Sequence, residues 1–421
     1  MSVKLLLAGR YQGGESLLSP PEEPTPWLDR VEKWFQGAAG ELLESSRITA
    51  GPQGAPLLLL RLHPAAGEVS VLAAGQARVV VSAETFAVGP GYHLYLCDLL
   101  KQLGKDLHIT WAERASDEDV GDPTGYFHTG DAGPVAEQML DILRTSAAQV
   151  LDMRSRGYFG FALSLHFGHI FEHPGALLTP LGPRDESWLQ AVREDPQRGK
   201  DVFSWWEPGL GAASRLGRAL SRLWTEVVWR PPLLEEERRL FRNVTKLLEQ
   251  AWREDPALNY PWREWQEVLG YLGMGGTLAE EISHRAALAP EGPRIGYRRG
   301  SVQVSLPAGW EIRIPGSLAE EHLSDGSWVA RDHRRSVRFV PLGNADDIAP
   351  ASPERRALEL EHHGARVSGR ASLHLEPGEC RLTALCRSGK QRALCVVSFD
   401  DPEEQDWALG IWRSLDRAVA A

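Results

Sequence analysis

SVQVSLPAGWEIRIP, residues 301–315, reads as two strand-like runs, 301–307 and 310–315, parted at Ala308-Gly309. Downstream the pattern repeats in SWVARD (327–332) and SVRFVPL (336–342). A helix is predicted to begin at Ser352-Pro353, where serine suits the N-cap and proline the first turn. Three more strands follow, ARVSGRASLHLE (365–376), ECRLTALCRS (379–388) and QRALCVVSFD (391–400), with SGK as a hairpin turn between the last two. Asp400 or Asp401, then Pro402, caps a final amphipathic helix through Trp407, Ile411, Trp412 and Leu415. Upstream, Ala289-Pro-Glu-Gly-Pro293 reads as a linker. Residues 294–421 are therefore expected to be an antiparallel sheet flanked by helices, the last part of an α+β chain.

Residues 1–152 read as a mixed α/β part. Trp27 to Leu43 has near-helical spacing, and LLLLRLH (57–63), VSVLAA (69–74) and ARVVVSA (77–83) are strand-like. Gly89-Pro90-Gly91 breaks the chain before YHLYLCDLLKQLG (92–104), which has a helical period. HITW (108–111) is a further strand, Glu113 to Asp122 a polar loop, and 134–152 a helix. Residues 153–288 are expected to be mainly helical, and they leave open whether this region is continuous with the first. After a strand-like YFGFALSLHF (158–167), helices are predicted over 212–229, 235–253, 262–272 and 278–288, the first stopped by Arg230-Pro231-Pro232.

With 421 residues, two or three domains are the expectation. The opening MSVKLLLAGRYQGGES has too short an apolar run for a signal peptide, and no stretch approaches a membrane span. Four cysteines without a CxxC pair do not make a disulfide framework, so a cytoplasmic location is expected. From Arg294 onward bases and acids balance, 18 against 18, leaving 28 against 39 before it. The acidic excess of the earlier part disfavours general attraction to nucleic acid and suits a basic protein partner.

The 301–315 stretch and the closing CVVSFDDPEEQDWALGIWRSLD resemble the PsbP-like α/β/α fold, for the C-terminal part only. The resemblance implies an interaction module, since members of that fold generally bind other proteins and carry no common active site. The N-terminal part resembles no family.

Two constellations bear on chemistry. On a helix starting near Tyr92, His93 and Cys97 share a face, with Asp98 adjacent, as an activated thiol would need, and the Gly-rich entry offers backbone N–H groups to an anion. Against this, the neighbouring leucines read as the buried side of a helix, where a thiol is inert. His166, His169 and His173, with Glu172 among them, would line one side of a helix as a zinc or iron site; strand alternation and the Gly168 and Pro174 breaks oppose that. Gly209-Leu-Gly211 lacks the third glycine of a dinucleotide fingerprint, and Asp117 to Asp122 departs from calcium-loop spacing and reads as a solvated loop. No cofactor is expected.

Arg215, Arg218 and Arg222 form a basic stripe beside Trp224 in a region dense in tryptophan, either a partner surface or a Trp-rich core with a solvated Arg edge. Arg334 and Arg335 lie in a charged run at a hairpin of the C-terminal sheet, a second partner candidate or a guard against edge aggregation. The expected function is that of a non-enzymatic cytoplasmic protein-binding factor, set in toxin immunity or a bacterial defence system. The alternatives are a hydrolase or thiol enzyme in the N-terminal part, and nucleic-acid binding through the Trp/Arg helices.

Overall fold

The computed structural model describes residues 3–12, 23–112, 121–158, 163–165, 169–343, 358–376 and 378–417. The chain is α+β, as its sequence leads one to expect. It opens with β1 (Lys4–Tyr11), α1 (Pro24–Ala38), β2 (Ser45–Ala50), β3 (Pro56–Arg61), β4 (Val69–Ala74), β5 (Arg78–Glu84), α2 (Pro90–Asp106) and β6 (Ile109–Trp111). The strands form one antiparallel sheet in the order β2-β3-β4-β5-β1-β6. Alternate residues of β4 and β5, Val69, Val71, Val79 and Val81, point into one core. Trp27, Val31 and Phe35 of α1 join them there, with Leu96, Leu100 and Leu103 of α2.

Next come α3 (Tyr126–Thr129), α4 (Gly133–Ser155), β7 (Leu163–Ser164), β8 (Ile170–Phe171), β9 (Leu177–Thr179), β10 (Gly182–Arg184) and α5 (Glu186–Glu194). The sequence reading anticipates α4, and its strand-like stretch 158–167 covers β7, but α5, β8, β9 and β10 are not anticipated, the last three being too short to show a period. Helices α6 (Ala212–Thr225), α7 (Glu235–Glu254), α8 (Trp262–Leu272) and α9 (Thr277–Leu288) share a core of Leu216, Leu223, Phe241, Leu248 and Trp265. Here α6 stops at Thr225 instead of reaching Trp229, which is left-handed at φ 52°.

The C-terminal part contains β11 (Ser301–Leu306), β12 (Trp310–Pro315), β13 (Ala319–His322), β14 (Trp328–Arg331), β15 (Arg335–Gly343), β16 (Leu358–His363), β17 (Ser368–His374), β18 (Cys380–Ser388), β19 (Gln391–Phe399), α10 (Gln405–Arg413) and β20 (Asp416–Arg417). The helix expected from Ser352-Pro353 would begin outside the described residues, and by Leu358 the chain is already strand. Seven strands run antiparallel as β13-β14-β15-β19-β18-β17-β16. A second sheet, β20-β12-β11-β8, takes its last strand from residues 170 and 171, far upstream of the linker. Trp310, Ile312 and Ile314 of that sheet share a core with Phe339, Cys395 and Val397 of the larger one and with Ile411 and Trp412 of α10. Among the described residues no helix is long and apolar enough to cross a membrane.

Candidate functional site

Helix α2 starts with proline in its first turn, and its approach to residues 203–207 needs two glycines. Gly89 has φ 122°, and a Cβ on Gly91 would lie 2.3 Å from the Glu207 carbonyl oxygen. Gly91 N–H donates to Trp205 O at 3.1 Å, and Trp205 N–H to Val88 O at 3.0 Å. The Gly91 donor expected to face an anion is thus committed to the chain itself.

One turn in, His93 and Cys97 share the buried face of α2, with Sγ 3.6 Å from Nε2 and both residues 0% exposed. Thr85 Oγ1 lies 2.9 Å from His93 Nδ1, and Thr124 Oγ1 lies 3.0 Å from Nε2. Asp122 completes the group, its Oδ1 3.3 Å from Nε2 and its carboxylate enclosed, which corrects the reading of Asp117 to Asp122 as solvated at its last residue. The carboxylate also accepts the Thr124 hydroxyl at 2.8 Å and Phe127 N–H at 2.8 Å. Asp98 is outside the cluster; it accepts from Tyr126 Oη at 2.9 Å on the exposed side of α2.

The electrostatics separate this cluster from an activated thiol. Burial, with the Asp122 charge behind it, pushes the Cys97 thiol far above its ordinary range, so it is protonated at neutral pH. Burial also works to raise Asp122, but the bonds from His93, Phe127 and Thr124 outweigh it and hold the carboxyl well below the usual range. A thiolate nucleophile needs the opposite environment and an open path, and Cys97 has neither. His93, Cys97 and Asp122 have donor atoms within 4.8 Å of one another, the one such trio among the described residues. Those residues would be the set to hold an ion, yet His93 and Asp122 are already satisfied by hydrogen bonds within the chain.

The histidines at 166–173 do not assemble into a centre among the described residues. His166 lies outside them. His169 Nε2 sits 3.1 Å from Glu320, which also takes a bond from Arg298 at 2.8 Å. Burial would raise the Glu320 carboxyl; the His169 bond and the Arg298 charge outweigh it and bring it down to about 2. His173 Nδ1 accepts Gly175 N–H, and Glu172 pairs with Arg313 at 2.6 Å.

Arg218 and Arg222 of α6 turn inward, which corrects their expected place on a partner surface or a solvated edge. Arg218 and Arg222 are 5% and 9% exposed and meet Glu44 at 2.8 and 2.7 Å. Glu226 binds Arg222 at 2.9 Å and Arg61 at 2.5 Å, so the network bolts the first sheet to α6. Arg215 pairs with Glu254, and Trp224 is buried against Tyr297 with ring centroids 5.0 Å apart. At the other candidate, Arg334 is half exposed near Asp400, while Arg335 lies over the Trp407 ring and pairs with Glu404.

Sequence reasoning passed over the outward face of the seven-stranded sheet, although its alternation was visible in the strands. Register puts Val340, Leu394 and Leu385 side by side in one row, with Arg370 next to them. The neighbouring row runs Arg338, Val396, Thr383, and Arg381 stands opposite Ser398. Arg387 and Arg392 face each other directly across β18 and β19. Neither a family model nor a curated protein matches the chain.

Proposed function

We propose that the chain is a protein-binding factor, not an enzyme centred on Cys97, and that it takes an acidic partner on the outward face of the seven-stranded sheet. The observation that carries this is the half-buried apolar centre on that face, which has exposed arginines around it. Arg381, Arg370 and Arg338 are exposed on the same face around the half-buried centre of Leu385, Leu394 and Val396. An apolar centre inside a charged rim is the usual anatomy of a protein interface. Single-stranded nucleic acid is the weaker occupant, because no Phe, Tyr or Trp stands among these positions to stack on bases. The likeness of residues 301–315 and the closing helix to the PsbP-like fold leads the same way. Toxin immunity or a bacterial defence system is the setting in which we place such a cytoplasmic factor.

The test is retention of a stable complex from native extract by the full chain and by the Arg381→Glu/Arg387→Glu variant. Both sites are exposed, so the melting temperature should barely move. A complex held by the wild type and lost by the variant supports the reading. No stable complex, or one indifferent to both substitutions, sinks it; salt-sensitive retention on single-stranded DNA would transfer the face to nucleic acid.

A further inference from the structure

His93 and Cys97, four residues apart on α2, turn Nε2 and Sγ toward one spot, and the turn ahead of α3 brings the Asp122 carboxylate to meet them. Two donors at that helical spacing with a third from a distant turn make a chelating set. Nε2 lies 3.6 Å from Sγ and 3.3 Å from Asp122 Oδ1. Zinc bonds of about 2.0 Å to nitrogen and oxygen and about 2.3 Å to sulfur give tetrahedral edges of about 3.5 and 3.3 Å. As a bond between a ring nitrogen and a carboxylate, by contrast, 3.3 Å is long, since charge-assisted ones are about 2.7–2.9 Å.

The bonds that satisfy the cluster from behind are those an ion would keep. Thr85 Oγ1 lies 2.9 Å from His93 Nδ1 and 3.3 Å from Val3 O. It can therefore accept Nδ1–H and donate its own hydrogen to Val3 O, which frees the Nε2 lone pair for a metal. Phe127 N–H steadies the second carboxylate oxygen, Oδ2, at 2.8 Å. The Asp122 side chain is fully enclosed, and among the described residues no lysine or arginine pairs with it. Enclosed charges are paired with an opposite charge or bound to a metal.

We propose that His93 Nε2, Cys97 Sγ and Asp122 Oδ1 bind one zinc ion, with the Thr124 hydroxyl at the fourth corner, as a structural centre clamping α2 to the turn before α3. Thr124 Oγ1 lies 3.0 Å from Nε2 and 2.8 Å from Oδ1, and its hydrogen goes to Oδ2, 2.9 Å away. On binding, the ring proton moves to Nδ1 and the Cys97 proton passes to solvent, leaving a thiolate on the metal. Burial and the Asp122 charge otherwise keep that thiol protonated, and a dication between the two reverses the local field. With no open position the centre is structural, and it stands or falls without the outward sheet face.

His93 and Cys97 are fully buried, so the ion has to enter as the chain folds. The full chain is therefore expressed with cobalt(II) in place of zinc and dialysed against EDTA. About one cobalt per chain should remain, showing thiolate-to-cobalt charge transfer in the near ultraviolet and the intense visible bands of a four-coordinate ion. Cys97→Ser should abolish the charge-transfer band, and Asp122→Asn should lower the retained cobalt at least about ten-fold. Cys380→Ser, at a thiol of the C-terminal core, should change neither. X-ray absorption of the zinc-loaded wild type, expected to show one sulfur among about four neighbours, decides alone if Cys97→Ser fails to melt cooperatively. Less than about half an equivalent of cobalt, bands without thiolate charge transfer, a spectrum unchanged in Cys97→Ser, or zinc without a sulfur neighbour overturns the proposal.

Discussion

His63 and His93 are both completely buried in the N-terminal part, and their surroundings are opposite. His93 has Thr85 on one nitrogen and Thr124 with Asp122 on the other. His63 accepts Ala65 N–H on Nδ1, and its Nε2 is buried without a partner among the described residues. A buried imidazole with every atom bonded inside the chain is a fastening. One with a buried donor left over carries a desolvation cost that no bond recovers. Counting bonds atom by atom distinguishes the two where burial alone does not.

The hardest blow to this contrast would be a mild His93→Ala. Removing the imidazole opens a cavity and takes a hydrogen bond from the enclosed Asp122 carboxylate, and the expected loss is about 3–5 kcal/mol in urea unfolding. A loss below roughly 1 kcal/mol would mean that the cluster fastens nothing.

Acid tests the same idea at a different site. Glu320 falls from 4.5 to about 2 on folding, beside His169 and Arg298. A depressed carboxyl contributes stability that is whole above the unfolded value and drains away as pH falls through the folded one. Stability should therefore drop between pH 4.5 and about 2, by roughly 3 kcal/mol from this group, with Asp122 adding to the fall. Glu320→Gln should flatten part of that slope in pH-dependent denaturation; an unchanged profile would remove Glu320 from the account.

The smallest effect is chemical. Cys97 should resist a thiol reagent at neutral pH in the folded protein and react once denaturant opens it. Rapid labelling of native protein at this residue would turn the fastening back into a candidate nucleophile.

Helical periodicity was enough to put His93 and Cys97 on one face of α2, since spacing of four is a local property. It was blind to Thr124, 31 positions further on, because only tertiary packing brings that turn over the helix. The same limit applies to α6. Arg218 and Arg222 keep a regular spacing whether they face water or Glu44, and Glu44 sits just ahead of a strand with nothing nearby to mark it as a counter-ion. Strands β14, β15, β17, β18 and β19 were legible because alternation is written in each, whereas the edge strands β13 and β16 were missed; which arginines stand opposite each other depends on register, which is not written locally.

Strand β8 lends the C-terminal sheet an edge taken from residues 170 and 171, and Phe171 stacks on Tyr297 at 4.8 Å. Arg299, past the linker, lies 3.6 Å from the Trp229 ring centroid and pairs with Glu267. The Pro-rich stretch 289–293 is thus a seam in the sequence that contacts on either side sew shut. A ribosome delivering this chain must hold the 170s strand in waiting until more than a hundred later residues have emerged, so that sheet cannot begin to close before β11 is made.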